Sequence, residues 1–133
     1  MKADPAAQGI KKALDQAIRN VKILSDAGVS IGMGTDSGAS PNRNPGRWQG
    51  YFEHVEMEML VKAGMTTQQV IVASTSAGAK IMGLKGVGSI EKWNRADLLV
   101  LNANPLTDIA NARQMDSVYV AGRKVNVAAA ATN

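Results

Sequence analysis

The sequence predicts an α/β fold. Two observations carry that reading: helical and strand periodicities follow one another along the chain, and the apolar residues are almost all aliphatic. Aromatics are 4% of the chain against a 45% hydrophobic share that includes seven Met. The core must therefore be built from Ala, Val, Ile, Leu and Met, small or pliable side chains that suit helix-against-strand layers. At 133 residues with 20% charged, the composition is that of one globular domain, not a fibrous or disordered chain.

The elements follow in order. Asp4-Pro5 reads as an N-cap followed by Pro at the first helical position, where the missing N–H costs nothing. Ile10, Leu14, Ala17, Ile18, Val21 and Leu24 then recur at helical spacing until Gly28. Val29, Ile31 and Met33 alternate with Ser30, Gly32 and Gly34, a period of two with small residues on one face, so a short strand packed closely on that side is expected. Gly38 to Gly50 is rich in Gly, Ser, Pro, Asn and Arg and reads as a loop, long enough to suggest function. Phe52, Val55, Met59 and Ala63 mark the next helix, closed by Gly64. Thr66 and Gln69 form a capping box, with Met65 and Val70 as its hydrophobic staple. The helix they open runs towards Gly83, and Ser76 can re-cap it. Strand-like runs follow at Gly88–Ile90, Asp97–Leu101 and Val118–Val120, with turns at Asn104-Pro105 and Gly122, and the tail is expected to fray.

Composition also excludes functions. The net charge of +4, from 15 Lys and Arg against 11 Asp and Glu, is spread along the chain with no run longer than Lys11-Lys12 or Arg123-Lys124. No nucleic-acid partner is predicted, because such a footprint clusters basic residues and interleaves aromatics. The absence of Cys removes disulfides, thiolate metal sites and thiol nucleophiles. The first residues lack a secretory signal, and nothing approaches the ~18 consecutive apolar residues of a membrane span. No membrane partner is expected, and the compartment is left open.

The segment Gly32-Met33-Gly34-Thr35-Asp36-Ser37-Gly38 carries the chemistry. It is a poor phosphate loop, since its third Gly comes one residue late and no helix follows. As a nucleophile elbow it would need a downstream His as the last member of a triad. The chain's one His, His54, lies 18 residues after Asp36 with nothing beyond it to serve. A metal site is a third option: Asp36 and His54 are suitable ligands, Glu53, Glu56 and Glu58 are near, and His54 and Glu58 share a helix face at i and i+4. On so charged a helix, a solvated face with one incidental His outweighs a ligand pair. Asp36 itself ends a strand flanked by small residues, where barrel enzymes place catalytic groups. It can equally cap the following turn, and local sequence leaves both roles open.

Taken together, the blocks AGVSIGMGTDSG, GYFEHVEMEMLVKAGMTTQQVIVASTSAGAKIMGL, GVGSIE, ADLLVLNANPLTDI and VYVAGRKV resemble the C-terminal portion of the amidohydrolase superfamily. The similarity is greatest to its imidazolonepropionase-like and Xaa-Pro-dipeptidase-like members, and it spans roughly Ala27 to Val125. It implies the C-terminal part of a (β/α)8 barrel plus strands of a flanking β-sandwich. Residues 1–85 would be partial barrel, holding a helix, the last barrel strand (Val29–Thr35), the active-site loop and outer helices. Residues 86–127 would be sandwich, and 128–133 a disordered tail.

By the same resemblance Asp36 is the terminal metal-site aspartate, both ligand and proton-transferring base, with Ser37 and His54 close to substrate. The cofactor implied is a divalent metal, zinc first, and the substrate a small amide, cyclic amide or peptide-like molecule cleaved at a C–N bond. The family's other ligands, an H-x-H pair, a mid-barrel Lys or Glu and two further His, have no counterpart here, so this chain alone is expected to be inactive and to bind no metal. Glu91 to Asp97 also departs from the family's Gly-Lys turn, and Trp93-Asn94 is a poorer tight turn. The alternative is a stand-alone, non-catalytic binding module that self-associates or docks with the missing barrel half through uncovered apolar faces.

Overall fold

The computed structural model describes residues 4–38 and 48–126. Much of the expected loop and the 128–133 tail fall outside the described residues. Helix α1 (Pro5–Asp26) starts as predicted: the Asp4 side chain accepts the Ala6 N–H at 3.0 Å, with Pro5 at the first position. It ends just before Gly28, which takes a positive φ of 75°. Helix α2 (Tyr51–Lys62) follows Gly50. Helix α3 (Thr67–Ser74) opens with the predicted capping box, Thr66 Oγ accepting the Gln69 N–H at 3.1 Å and Gln69 Oε1 accepting the Thr66 N–H at 2.8 Å. The chain breaks at Thr75, and a short helix α4 (Ser76–Ile81) completes the helical half.

The core lies where α2 and α3 meet. Leu60, Met65, Val70, Ala73 and Ile109 form one buried cluster, with Val21, Ile31, Met33, Met57, Val61 and Ile71 packed against it. Met65 and Val70, the staple pair, are 6% and 0% exposed, so fixing the chain's entry into α3 also seeds the core. Ile109 reaches this cluster from a 3-10 turn (Ile109–Arg113) in the other half of the chain.

Strands β1 (Leu98–Leu101), β2 (Met115–Val120) and β3 (Arg123–Lys124) form an antiparallel sheet in that order. Leu98 pairs with Tyr119 and Val100 with Ser117, and the register shifts between Val100 and Leu101. Ala121 and Gly122, both at positive φ, make the tight β2–β3 turn. Asp97, one residue before β1, accepts the Ala121 N–H at 2.8 Å and fastens that turn to the strand's start.

Two expected strands are absent. Residues 29–35 alternate in exposure from Ile31 onward, as a period of two requires, yet carry no ladder. A strand is made by a hydrogen-bonding neighbour, and among the described residues none flanks this segment. It is held instead by the Met33 N–H on the Ala73 carbonyl at 3.1 Å. Its small face is used at Gly32, where a Cβ would meet Ile81 Cδ1 at 2.8 Å. Gly88–Ile90 is a bend. Gly88 has φ 86° and sits so close to the Thr75 and Ser76 backbone, about 3.0 Å from a would-be Cβ, that the chain turns there. Arg95 N–H to Gly86 O at 2.8 Å and Asn94 to Ser89 Oγ at 2.9 Å close the link. The doubtful turn after it is resolved by placing Trp93 at φ 74°, a conformation that disfavours a non-glycine residue by roughly 1–2 kcal/mol.

Candidate functional site around Asp36

The polar centre of the chain forms where residues 35–37 meet the first turn of α2. Asp36 is exposed and adopts φ 51°. Few non-glycine residues enter this left-handed region, and Asp is among those that tolerate it. Strained backbone of this kind persists only where neighbouring interactions hold it. Here the neighbours are bonded to each other around Asp36: the Ser37 N–H donates to Thr35 Oγ at 3.1 Å, and the Thr35 hydroxyl donates to Ser37 Oγ at 2.8 Å.

The Ser37 hydroxyl in turn donates to Glu53 Oε1 at 2.5 Å, and Thr35 Oγ lies 3.4 Å from the same oxygen. Glu53 Oε2 accepts the Gly50 N–H at 2.6 Å. Gly50 has no side chain to contribute, so this is the reciprocal half of a capping box, supplied by the acidic residue at the third helical position. The Ser37 hydrogen bond, first among several, holds the Glu53 carboxyl below the usual carboxylate range. Glu53 therefore stays an ionised acceptor.

His54 follows Glu53 along α2. Its ring is half-buried, and Nδ1 is buried without a hydrogen-bond partner. Burial, and secondarily the Arg113 charge, push its pKa below the ordinary histidine value, so it is neutral at physiological pH. Glu58, which shares the His54 face, is engaged elsewhere: Arg113 Nε donates to Glu58 Oε1 at 2.7 Å while its guanidinium stacks 5.1 Å from the Tyr51 ring centre. The i, i+4 pair is thus part of a seam between α2 and the 3-10 turn. Glu56 on the same helix is pushed above the usual carboxylate range by burial.

Asp36 supplies an oxygen donor suited to a divalent cation. Among the described residues, however, no group of three or more His, Asp or Glu side chains is placed to hold one. The sequence picked out Asp36, Ser37 and His54; the structure brings Ser37 onto Glu53, with His54 next to Glu53 on α2. Glu53 was passed over as one acid in a charged helix. The signal that could have found it is the spacing Gly50-x-x-Glu53 at a helix start.

Comparison with known proteins places the chain in a family. The Amidohydrolase family model matches residues 7–125, and the chain belongs to that family. A 5-methylthioadenosine/S-adenosylhomocysteine deaminase from Bacillus cytotoxicus is 28% identical over 84% of this chain and 26% of its own length. Among solved structures, molinate hydrolase superposes with a TM-score of 0.72 at 29% identity, covering 80% of this chain and 26% of that one. A Xaa-Pro dipeptidase with methionine bound in its active site gives 0.69 at 26% identity, covering 84% and 26%. The resemblance read from the sequence blocks is borne out. The chain spans about a quarter of the length of these relatives, and the family is generally metal-dependent.

Proposed function

We propose that this chain is the C-terminal part of a hydrolase acting on C–N bonds of small amide, cyclic amide or peptide-like substrates, with Asp36 as its reactive carboxylate. The single observation that carries the reading is the placement of Asp36: the residue just past a segment of strand periodicity, held in a left-handed backbone by bonded neighbours. Residues 29–35 stand for the last barrel strand, residues 1–85 for barrel and 86–127 for sandwich. The relatives' names, a deaminase, a hydrolase and a dipeptidase, support the reaction class.

Within such an enzyme Asp36 accepts a proton from the attacking water and returns it to the leaving nitrogen, the task for which a solvent-accessible carboxylate within hydrogen-bond reach is suited. In the complete enzyme Asp36 would be one of the residues holding a divalent metal, zinc first, which would supply activation of that water. Ser37 and His54 line the approach to Asp36. A neutral His54 adds no charge to that approach.

The test is a graft. Residues 7–125 replace the corresponding quarter of the Xaa-Pro dipeptidase; we expect measurable turnover that Asp36→Asn lowers roughly 100-fold or more in kcat. Turnover indifferent to Asp36 would refute the assignment. The isolated chain is expected to retain no stoichiometric divalent ion by elemental analysis, and one tight ion per chain, lost on Asp36→Ala, would show that it builds a metal site without help.

A second reading has its own observation. Ile10, Ile23, Ile81, Met82, Ile90 and Trp93 are each more than half exposed, and exposed apolar side chains that gather into a patch drive association. The chain could serve as a self-associating or docking module. Light scattering coupled to size exclusion separates the two: a compact monomer removes the second reading.

A further inference from the structure

We propose that Glu53 is a positioning residue for Asp36: one carboxylate on the first turn of α2 fixes the Thr35–Ser37 turn from which the aspartate projects. The meaning for catalysis rests on Asp36 being the reactive group, as argued above; the positioning itself does not. The argument starts from the backbone. Asp36 occupies a left-handed conformation at φ 51°, tolerated by Asp but favoured here only if its surroundings support it.

Bonds between its two neighbours contribute to holding it. Thr35 Oγ takes the Ser37 N–H across Asp36, and the Thr35 hydroxyl donates to Ser37 Oγ. This ring of two hydroxyls has one hydrogen left over, on Ser37, and Glu53 Oε1 receives it at 2.5 Å. Without that acceptor the Ser37 hydroxyl is free to rotate, and the Thr35 hydroxyl loses the reason to point at it. Bonds to an ionised acceptor are short and strong, and this one stays ionised because the same contact holds the Glu53 carboxyl low.

Glu53 is itself restrained. Its second oxygen accepts the Gly50 N–H at 2.6 Å, at the positive end of the α2 dipole where a carboxylate is favoured. The carboxylate cannot swing from Ser37 without giving up the helix start. The Asp36 turn and α2 are therefore locked in one relative placement, although Ser37 and Glu53 are 16 residues apart.

Nuclear magnetic resonance on the complete, isotope-labelled chain tests this. The left-handed backbone of Asp36 gives a strong intraresidue Hα–HN contact, and its side-chain carboxyl carbon reports its surroundings. Glu53→Ala is expected to abolish the first, shift the second and release the Gly50 amide to exchange. Ser37→Ala is expected to produce the same loss at Asp36 while the Gly50 amide and α2 stay as in the parent, and Ser37→Thr, which keeps the hydroxyl, to restore the Asp36 signals. A residue that merely caps α2 would not respond in this way. If Glu53→Ala fails to fold, the Ser37 pair decides alone. Asp36 signals unchanged in Ser37→Ala, or in a folded Glu53→Ala whose Gly50 amide is released, would overturn the proposal. No turnover is required, so an inactive graft whose Asp36 signals follow this pattern counts against the hydrolase reading and not against Glu53.

Discussion

Helices α1 and α3 make opposite use of apolar residues. The stripe of α1 is long and regular, yet Ile10 is 72% exposed and Leu14 47%, and it is Val21 that packs on the core. Helix α3 is eight residues long and less regular, yet it buries Val70 completely and Ala73 almost so. Periodicity predicts that a face exists; burial requires another element to lie on it. An amphipathic helix is thus a statement about a partner, and here α3 has found α2 and Ile109 while most of α1 has found none among the described residues.

The sharpest way to test this contrast is truncation on either side of it. Leu60→Ala, in the α2–α3 core, is expected to cost about 2–5 kcal/mol in chemical denaturation, whereas Ile10→Ala on α1 should stay within about 0.5 kcal/mol. Equal losses would mean that α1 is covered in solution. Thr66→Ala removes the cap that launches α3 and should cost about 1 kcal/mol with little change in unfolding slope. Next comes the Glu58–Arg113 pair along the seam: both side chains are about a third or more exposed, so a double-mutant cycle should return a coupling of about 0.2–1 kcal/mol.

The smallest effects are in pH. Glu53 is lowered in the folded chain, chiefly by Ser37, so its contribution is present above the unfolded carboxyl value and is lost as pH falls through the lower folded one. Glu56 is raised by burial, so it weakens the fold as pH climbs above the ordinary carboxyl value. Glu56→Gln should therefore raise the melting temperature slightly at pH 7 and leave it unchanged near pH 3. A gain at both would mean that something other than the buried charge is being relieved.

How much of this was legible beforehand follows the range of each interaction. The Asp4 cap, the Thr66–Gln69 box and the Met65–Val70 staple are contacts within a few residues, and their spacing announces them. Strand character at 29–35 was legible as alternation but the missing ladder was not, because hydrogen bonding there depends on a neighbour that the segment does not encode. Gly88–Ile90 read as a strand from composition, and only its approach to Thr75 and Ser76 makes it a bend. Asp36 could be located from its place in GTDSG. What holds it, Glu53, belongs to another block and becomes visible once α2 is set against the turn.

The Ile109 side chain has a wider consequence. It leaves the sheet half of the chain through a 3-10 turn and ends among Leu60, Met65, Val70 and Ala73, beside the Thr67 hydroxyl that donates to the Leu106 carbonyl at 2.8 Å. Neither half can open without stripping the other of its packing. The boundary near residue 85 that the family resemblance implies is for this reason not expected to be a thermodynamic one: helices and sheet should melt in one transition, with the slowest-exchanging amides of both protected to the same free energy.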